Sequence, residues 1–346
     1  MSETTSKTPM SFPAEVFAAL TPVPYLLAHL TPSNANAPSL RANGRRPHQF
    51  RTPNVNTNSL THCNGSAVVR IGDTSVVCGV RGEILLSKDI PNPPKVDLPE
   101  DESMDDETVE DENDAEELSS LNVLVPNIEL ATGCSPAHIP GNPPSTLAQS
   151  LSQRMLSLLH TTKLIRASDL RILYRPPKQE DDEPDVVPPL GIAAYWTLYI
   201  DVLFISLDGN PFDAAWCALL AALENTRLPK AWWDADAGSI LCSDLAEDAR
   251  SLSLRGLPVP TTFAAFEPGL EKGVKEARTW MLADPDTLEE DLCNESVTMV
   301  VDSSSGRTVV RRIEKAGGGV VGKETLSTCM ETARMRWGEW SGILQG

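Results

Sequence analysis

The chain has no pair of cysteines at C-x-x-C spacing, and its seven cysteines (63, 78, 134, 217, 242, 293 and 329) are odd in number and scattered. That argues against a disulfide framework and for reduced thiols inside a cell. Only five histidines are present, at 29, 48, 62, 138 and 160, dispersed along the chain with no i, i+4 pair of histidines, so no zinc site is expected. No G-x-S-x-G run offers a serine nucleophile. The start, MSETTSKTPM, lacks a basic region followed by an apolar one, so no secretory signal is expected and the sequons at Asn64 and Asn294 carry no weight. One run alone has the length of a membrane span, Leu190 to Leu207, and Asp201 interrupts it. Its Tyr, Trp, Thr, Ile and Val content favours a buried strand.

What is present in excess is acid. The formal charge is −19, but Asp97 to Glu117 alone holds thirteen Asp or Glu and no Lys or Arg, and Glu180 to Asp185 holds five more. The remaining body is close to neutral, so net charge does not exclude an RNA partner. The stretch from Lys88 to Ser120 is proline-rich and then acidic, a composition that reads as a disordered loop interrupting a folded domain.

Hydrophobic residues make up 41% of the 346, enough for one large domain or two small ones. Residues 14 to 30 read as a short apolar helix broken by Pro22 and Pro24, followed by a linker to about Leu40. VNTNSL, GSAVVRIG and TSVVCGVRGEIL, separated by Asn64-Gly65 and Gly72-Asp73, predict an antiparallel meander. LNVLVPNIEL predicts another strand, and the apolar residues at 147, 151, 155, 158 and 159 predict an amphipathic helix. A strand over 169–174, a long strand pair over 190–207 and a helix over 212–223 complete a first half, residues 41–226. The second half, 227–346, repeats the order, with short strands and a closing helix over 324–344. Strands followed by helices, twice, predict an α/β protein of two similar halves packed together.

Four features bear on chemistry. Gly317 to Glu324, GGGVVGKE, nearly matches a phosphate-cradling loop, but Glu324 stands where a hydroxyl would hold Mg²⁺, and a glycine turn before a helix is the simpler reading. The carboxylates of Asp284 to Asp291 are either a functional cluster or a solvated loop. Arg41, Arg45, Arg46 and Arg51 are either contacts for phosphate or an acidic partner, or solvated surface with internal ion pairs, the second reading being favoured. The turn Asp208-Gly209-Asn210 leads into an apolar helix whose first residues are Pro211, Phe212 and Asp213. A helix mouth attracts anions, yet proline lacks an N–H, phenylalanine lacks charge and aspartate repels them.

The order Arg41-Ala-Asn-Gly-Arg45, Phe50-Arg51-Thr52, Asn64-Gly-Ser-Ala67, Gly72 through Glu83, Leu207-Asp-Gly-Asn210 and Leu282-Ala-Asp-Pro285 resembles the RNase PH family. With VPNIEL and Pro143-Pro144-Ser145, it is similar within that family to exosome ring subunits. The likeness spans about Pro13 to Trp340 apart from the acidic insertions. It implies an RNase PH-like fold. In active members a Gly-Gly-Thr-Arg-like turn binds the attacking phosphate through its arginine, a bidentate clamp. Here the matching arginine position is Phe212, and a second phosphate-contacting arginine is missing from NPPSTLAQ. The family's acid pair falls on Asp284 and on Glu290, where active enzymes carry a second aspartate.

The resemblance therefore implies a non-catalytic ring subunit needing no cofactor or metal. Its expected partners are other RNase PH-like ring subunits, RNA-binding cap subunits and a hydrolytic exonuclease, with single-stranded RNA passing the central channel and no membrane. The expected work is RNA degradation and ribosomal RNA 3′ processing in nucleus, nucleolus and cytoplasm. The alternative is an active phosphorolytic 3′-to-5′ exoribonuclease using Asp284 and an arginine from elsewhere.

Overall fold

The computed structural model describes residues 13–32, 38–94, 107–175, 190–268, 279–319 and 321–344. The acidic cluster 180–185 and residues 97–106 of the first acidic run lie outside them. The N-terminal segment forms two helices, α1 (Ala14–Leu20) and α2 (Pro22–Leu30), rather than one broken helix. Pro22 occupies the first helical position of α2, where its missing N–H costs nothing and its fixed φ favours a start. From α2, Leu26 and Leu30 are buried with Phe266, Trp280 and Leu282 of the second half.

The meander is present as β1 (Pro53–Thr57), β2 (Gly65–Ile71) and β3 (Thr74–Leu86), paired antiparallel. Next come α3 (Glu107–Leu121), β4 (Leu124–Leu130), α4 (Thr146–Thr162), the single turn α5 (Ala167–Leu170), β5 (Arg171–Tyr174), β6 (Gly191–Ser206) and α6 (Pro211–Glu224). The stretch expected as a strand pair is one 16-residue strand, because no turn residue interrupts it. It lies between antiparallel β3 and parallel β4, giving the order β1-β2-β3-β6-β4 with β5 against the start of β6.

A short antiparallel pair, β7 (Arg227–Leu228) with β10 (Arg250–Ser251), brackets the hairpin β8 (Ala231–Asp234) with β9 (Ser239–Cys242), and both precede the second sheet. That sheet contains β11 (Val259–Phe266), β12 (Trp280–Ala283), β13 (Glu295–Asp302) and β14 (Val309–Ala316) in the antiparallel order β12-β11-β13-β14. The six-residue α7 (Thr287–Leu292) follows β12, and α8 (Lys323–Leu344) closes the chain. Helix α6 packs on β2 and β3 on one side and β11 on the other, and every residue from Phe212 to Leu223 is buried. A helix apolar on all sides is a buried helix, and this one joins the two halves. No helix of the described residues is long and apolar enough to cross a membrane.

One expectation needs correcting. Residues 107–121, read from composition as part of a disordered loop, form α3, and its last turns are docked. Asp114 and Glu117 are buried: Arg171 bonds both, Arg255 Nη2 lies 2.8 Å from Asp114 Oδ2, and the Ala167 N–H donates to the same oxygen. Leu118 packs into the core beside them. The acids fold because arginines from distant parts of the chain neutralise them, a cause that composition does not contain.

The glycine-rich stretch is a turn over Glu295. Gly317 has φ +106°, and a Cβ on Gly319 would fall 1.8 Å from Glu295 Oε1. A carboxylate of the protein itself sits against the loop, which is the opposite of what a phosphate cradle requires.

Candidate functional site

The turn before α6 abuts the loop before α7. Gly209 has φ +66°, and a Cβ there would lie 2.5 Å from the carbonyl carbon of Asp286, so only glycine fits. Asn210 follows in the left-handed region, at φ +49°, which asparagine tolerates. Its backbone N–H donates to Glu290 Oε1 at 2.8 Å. Its side-chain amide donates to Asp213 Oδ2 and to Asp284 Oδ1, each at 2.9 Å. The mouth of α6 does hold an anion, and the protein supplies it.

Asp213 also accepts from the Thr262 N–H and hydroxyl, both at 2.8 Å, and burial raises its pKa. Glu290 is an exposed residue at the rim, but desolvation of its carboxyl where it meets the Asn210 N–H, with Asp213 and Asp291 nearby, pushes it up to about 7. Phe212, 3% exposed, stacks on Trp216 and carries the Arg154 guanidinium 3.9 Å above its ring. Arg154 comes from α4 and is already paired with Glu314 at 2.7 Å and bonded to Thr298. Arg154, Asn210, Phe212, Glu290 and Thr298 line a cavity of about 270 Å³ together with Glu295.

The arginine cluster is turned inward. Asp284, 1% exposed and at φ +51°, accepts from the Arg51 N–H and Nε at 2.9 Å and from Arg51 Nη2 at 2.7 Å. Arg45 adds an ion pair at 3.3 Å. These donors outweigh burial and hold the Asp284 carboxyl at about 2. Arg41 is 1% exposed, forks onto Glu289, and donates to the carbonyls of Ala283 and Asp284. Glu289 is in turn held by a capping box with Asp286 at the start of α7.

Of the arginines weighed as RNA or interface contacts against solvated surface with internal ion pairs, Arg41, Arg45 and Arg51 are engaged in internal ion pairs. They tie the 41–51 segment to the loop after β12. Arg46 alone is exposed, at an open groove beside Met335 and Glu339.

Phe212 meets Asp284 and Glu290 at one helix mouth although it lies far from them in sequence. Sequence reasoning did not single out Asn210, which bridges three carboxylates, or Arg154, which covers Phe212. The D-x-x-E spacing of Asp286 and Glu289 was the one available signal for the capping box. Chemically the arrangement is closed. Glu290 and Asp213 occupy donors at the mouth, Phe212 presents an uncharged ring, and Arg154, the one cation among the described residues that line the cavity, shares the Glu314 carboxylate with Arg312. Asp284, ionised and fully hydrogen-bonded, has no capacity left as a proton donor.

This fold, with two sheet-plus-helix halves meeting at an α6 mouth, defines a class. Residues 49–229 match the 3′ exoribonuclease family, domain 1, and residues 256–336 match domain 2 of the same family. The chain belongs to the 3′ exoribonuclease (RNase PH) family.

Among curated proteins it is 30% identical to exosome complex component rrp43 of Schizosaccharomyces pombe, over 95% of this chain and 97% of that protein. It is 26% identical to exosome complex component Rrp42 of Thermococcus gammatolerans, over 88% and 89%. Two solved structures share the fold. A chain of the Archaeoglobus fulgidus exosome with RNA bound to the active site has a TM-score of 0.58, 23% identity and coverage of 92% and 97%. A chain of an archaeal exosome core has a TM-score of 0.54, 22% identity and coverage of 87% and 91%.

Proposed function

We propose that this chain is a non-catalytic structural subunit of an exosome core ring, supporting 3′-to-5′ RNA degradation and ribosomal RNA 3′ processing by associated nucleases. Its similarity to ring components along nearly its whole length supports the ring role. The observation that carries the non-catalytic half is the α6 mouth, where Glu290 caps Asn210 and Phe212 lies beneath an Arg154 already engaged by Glu314 and Thr298. A ring built from head-to-tail contacts needs every protomer, because each presents two different faces and omission opens the ring. A member can therefore lose catalysis and keep its place.

The partners on this reading are related ring subunits, RNA-binding cap subunits and a hydrolytic exonuclease, with RNA threading the channel. The assembly works in nucleus, nucleolus and cytoplasm. Incubating the chain with RNA and inorganic phosphate tests the catalytic part. No nucleoside diphosphate is expected; phosphate-dependent release would favour an active phosphorolytic enzyme.

A further inference from the structure

The second half carries a cleft of about 470 Å³ between the turn joining β13 to β14 and one face of α8, separate from the α6 mouth. Its walls are Ser303, Gly306 and Thr308 on the turn and Arg334, Trp337 and Gly338 on the helix. The helical three stand at i, i+3 and i+4, so they share one face. Arg334 is exposed and, among the described residues, forms no hydrogen bond or ion pair.

The carboxylate that precedes Ser303 in the chain is engaged elsewhere. Asp302 is committed to Arg311 at 3.2 Å, to Ser304 and to the Leu257 N–H. Ser303 Oγ and Thr308 Oγ1 lie 2.9 Å apart, so one hydroxyl hydrogen joins them and the other is free to donate outward. Gly306, at φ +78°, closes the turn through its N–H to the Ser303 carbonyl. Trp337 is fixed by donation of its indole N–H to the Leu257 carbonyl at 2.8 Å.

A free guanidinium, a spare hydroxyl donor and a fixed aromatic wall form one set. We propose that this cleft takes one nucleotide unit of single-stranded RNA, its phosphate on Arg334 and the free hydroxyl, its base against Trp337. The volume is within the range of small-ligand sites. Base stacking on an aromatic ring beside a cation is the chemistry by which proteins hold single strands without reading sequence. An acidic peptide would use the cation and the hydroxyl but leave the ring idle. The inference holds whether or not the α6 mouth is catalytic.

Fluorescence anisotropy of a labelled oligoadenylate of about eight nucleotides, titrated with the full chain, tests it. Arg334→Gln is expected to weaken binding about tenfold, the worth of one charge-assisted contact, and to lower the salt slope by about one. Thr308→Ala is expected to weaken it less, and Arg70→Gln, an exposed arginine outside the cleft, to leave it unchanged. No binding by the parent chain, equal binding by Arg334→Gln, or an equal loss with Arg70→Gln overturns the proposal. So does full displacement of the RNA by an oligoglutamate peptide at the same concentration as unlabelled RNA, which would make the occupant an acidic peptide.

Discussion

Asp284→Asn separates an anchor from a catalyst. In the structure the carboxylate satisfies two arginines and the Asn210 amide while 1% exposed. The amide is nearly isosteric but leaves Arg45 and Arg51 without their shared counter-charge. Removing one partner of a buried ion pair costs about 3–5 kcal/mol. The depressed pKa gives a second figure: a fall from 3.8 to about 2 corresponds to about 2 kcal/mol.

A loss of about 2–4 kcal/mol is therefore expected in denaturant unfolding at pH 7. Because the folded pKa lies below the unfolded one, the unfolded chain binds more protons between pH 4 and 2. The Asp284 contribution is complete above pH 4 and disappears as pH falls through 2. The difference between parent and variant should shrink over that window. A variant within about 0.5 kcal/mol of the parent at pH 7, the range of an ordinary surface change, would refute the anchoring role.

Replacing Asp114 and Glu117 by Asn and Gln should release α3, seen as lost hydrogen-exchange protection over 114–121 with β3 and β6 unchanged; retained protection would show that Leu118 alone holds the helix. Deleting 95–117 should for the same reason lower stability cooperatively. Arg41→Ala, by leaving Glu289 buried and unpaired, should cost about 3–5 kcal/mol, and a double-mutant cycle with Glu289→Gln should show strong coupling. Phe212→Arg alone should not produce phosphate-dependent RNA shortening, since Glu290 still fills the α6 mouth; activity from that single change would show the mouth is open. Glu290→Gln should gain stability relative to the parent at pH 8 more than at pH 5, because a carboxyl with a raised pKa favours the fold while protonated and loses that contribution as pH passes about 7.

The parts of the fold governed by local pattern were legible in the sequence. Alternation and turn residues placed β1 to β3, and β-branched and aromatic content marked β6 as a strand. That it is one strand, between a parallel and an antiparallel neighbour, depends on pairing partners that lie far away in the chain. The same limit governed α3, whose acids are neutralised by Arg171 and Arg255. It also governed the arginines at 41, 45 and 51, whose partners sit more than 230 residues onward. At the candidate site, Phe212, Asp284 and Glu290 were singled out because the family resemblance marks those positions. Asn210 and Arg154 were not, because a bridging amide and a covering guanidinium acquire their roles only from the packing of α4, α6 and the loop after β12.

The most direct test of the ring-subunit reading is the native mass and subunit composition of the assembly recovered with a tagged copy of this chain from its own cells. One copy of the chain among several different RNase PH-like relatives is the expected result. A homo-hexamer, or the chain alone, would contradict it and return attention to Asp284 as a catalytic acid.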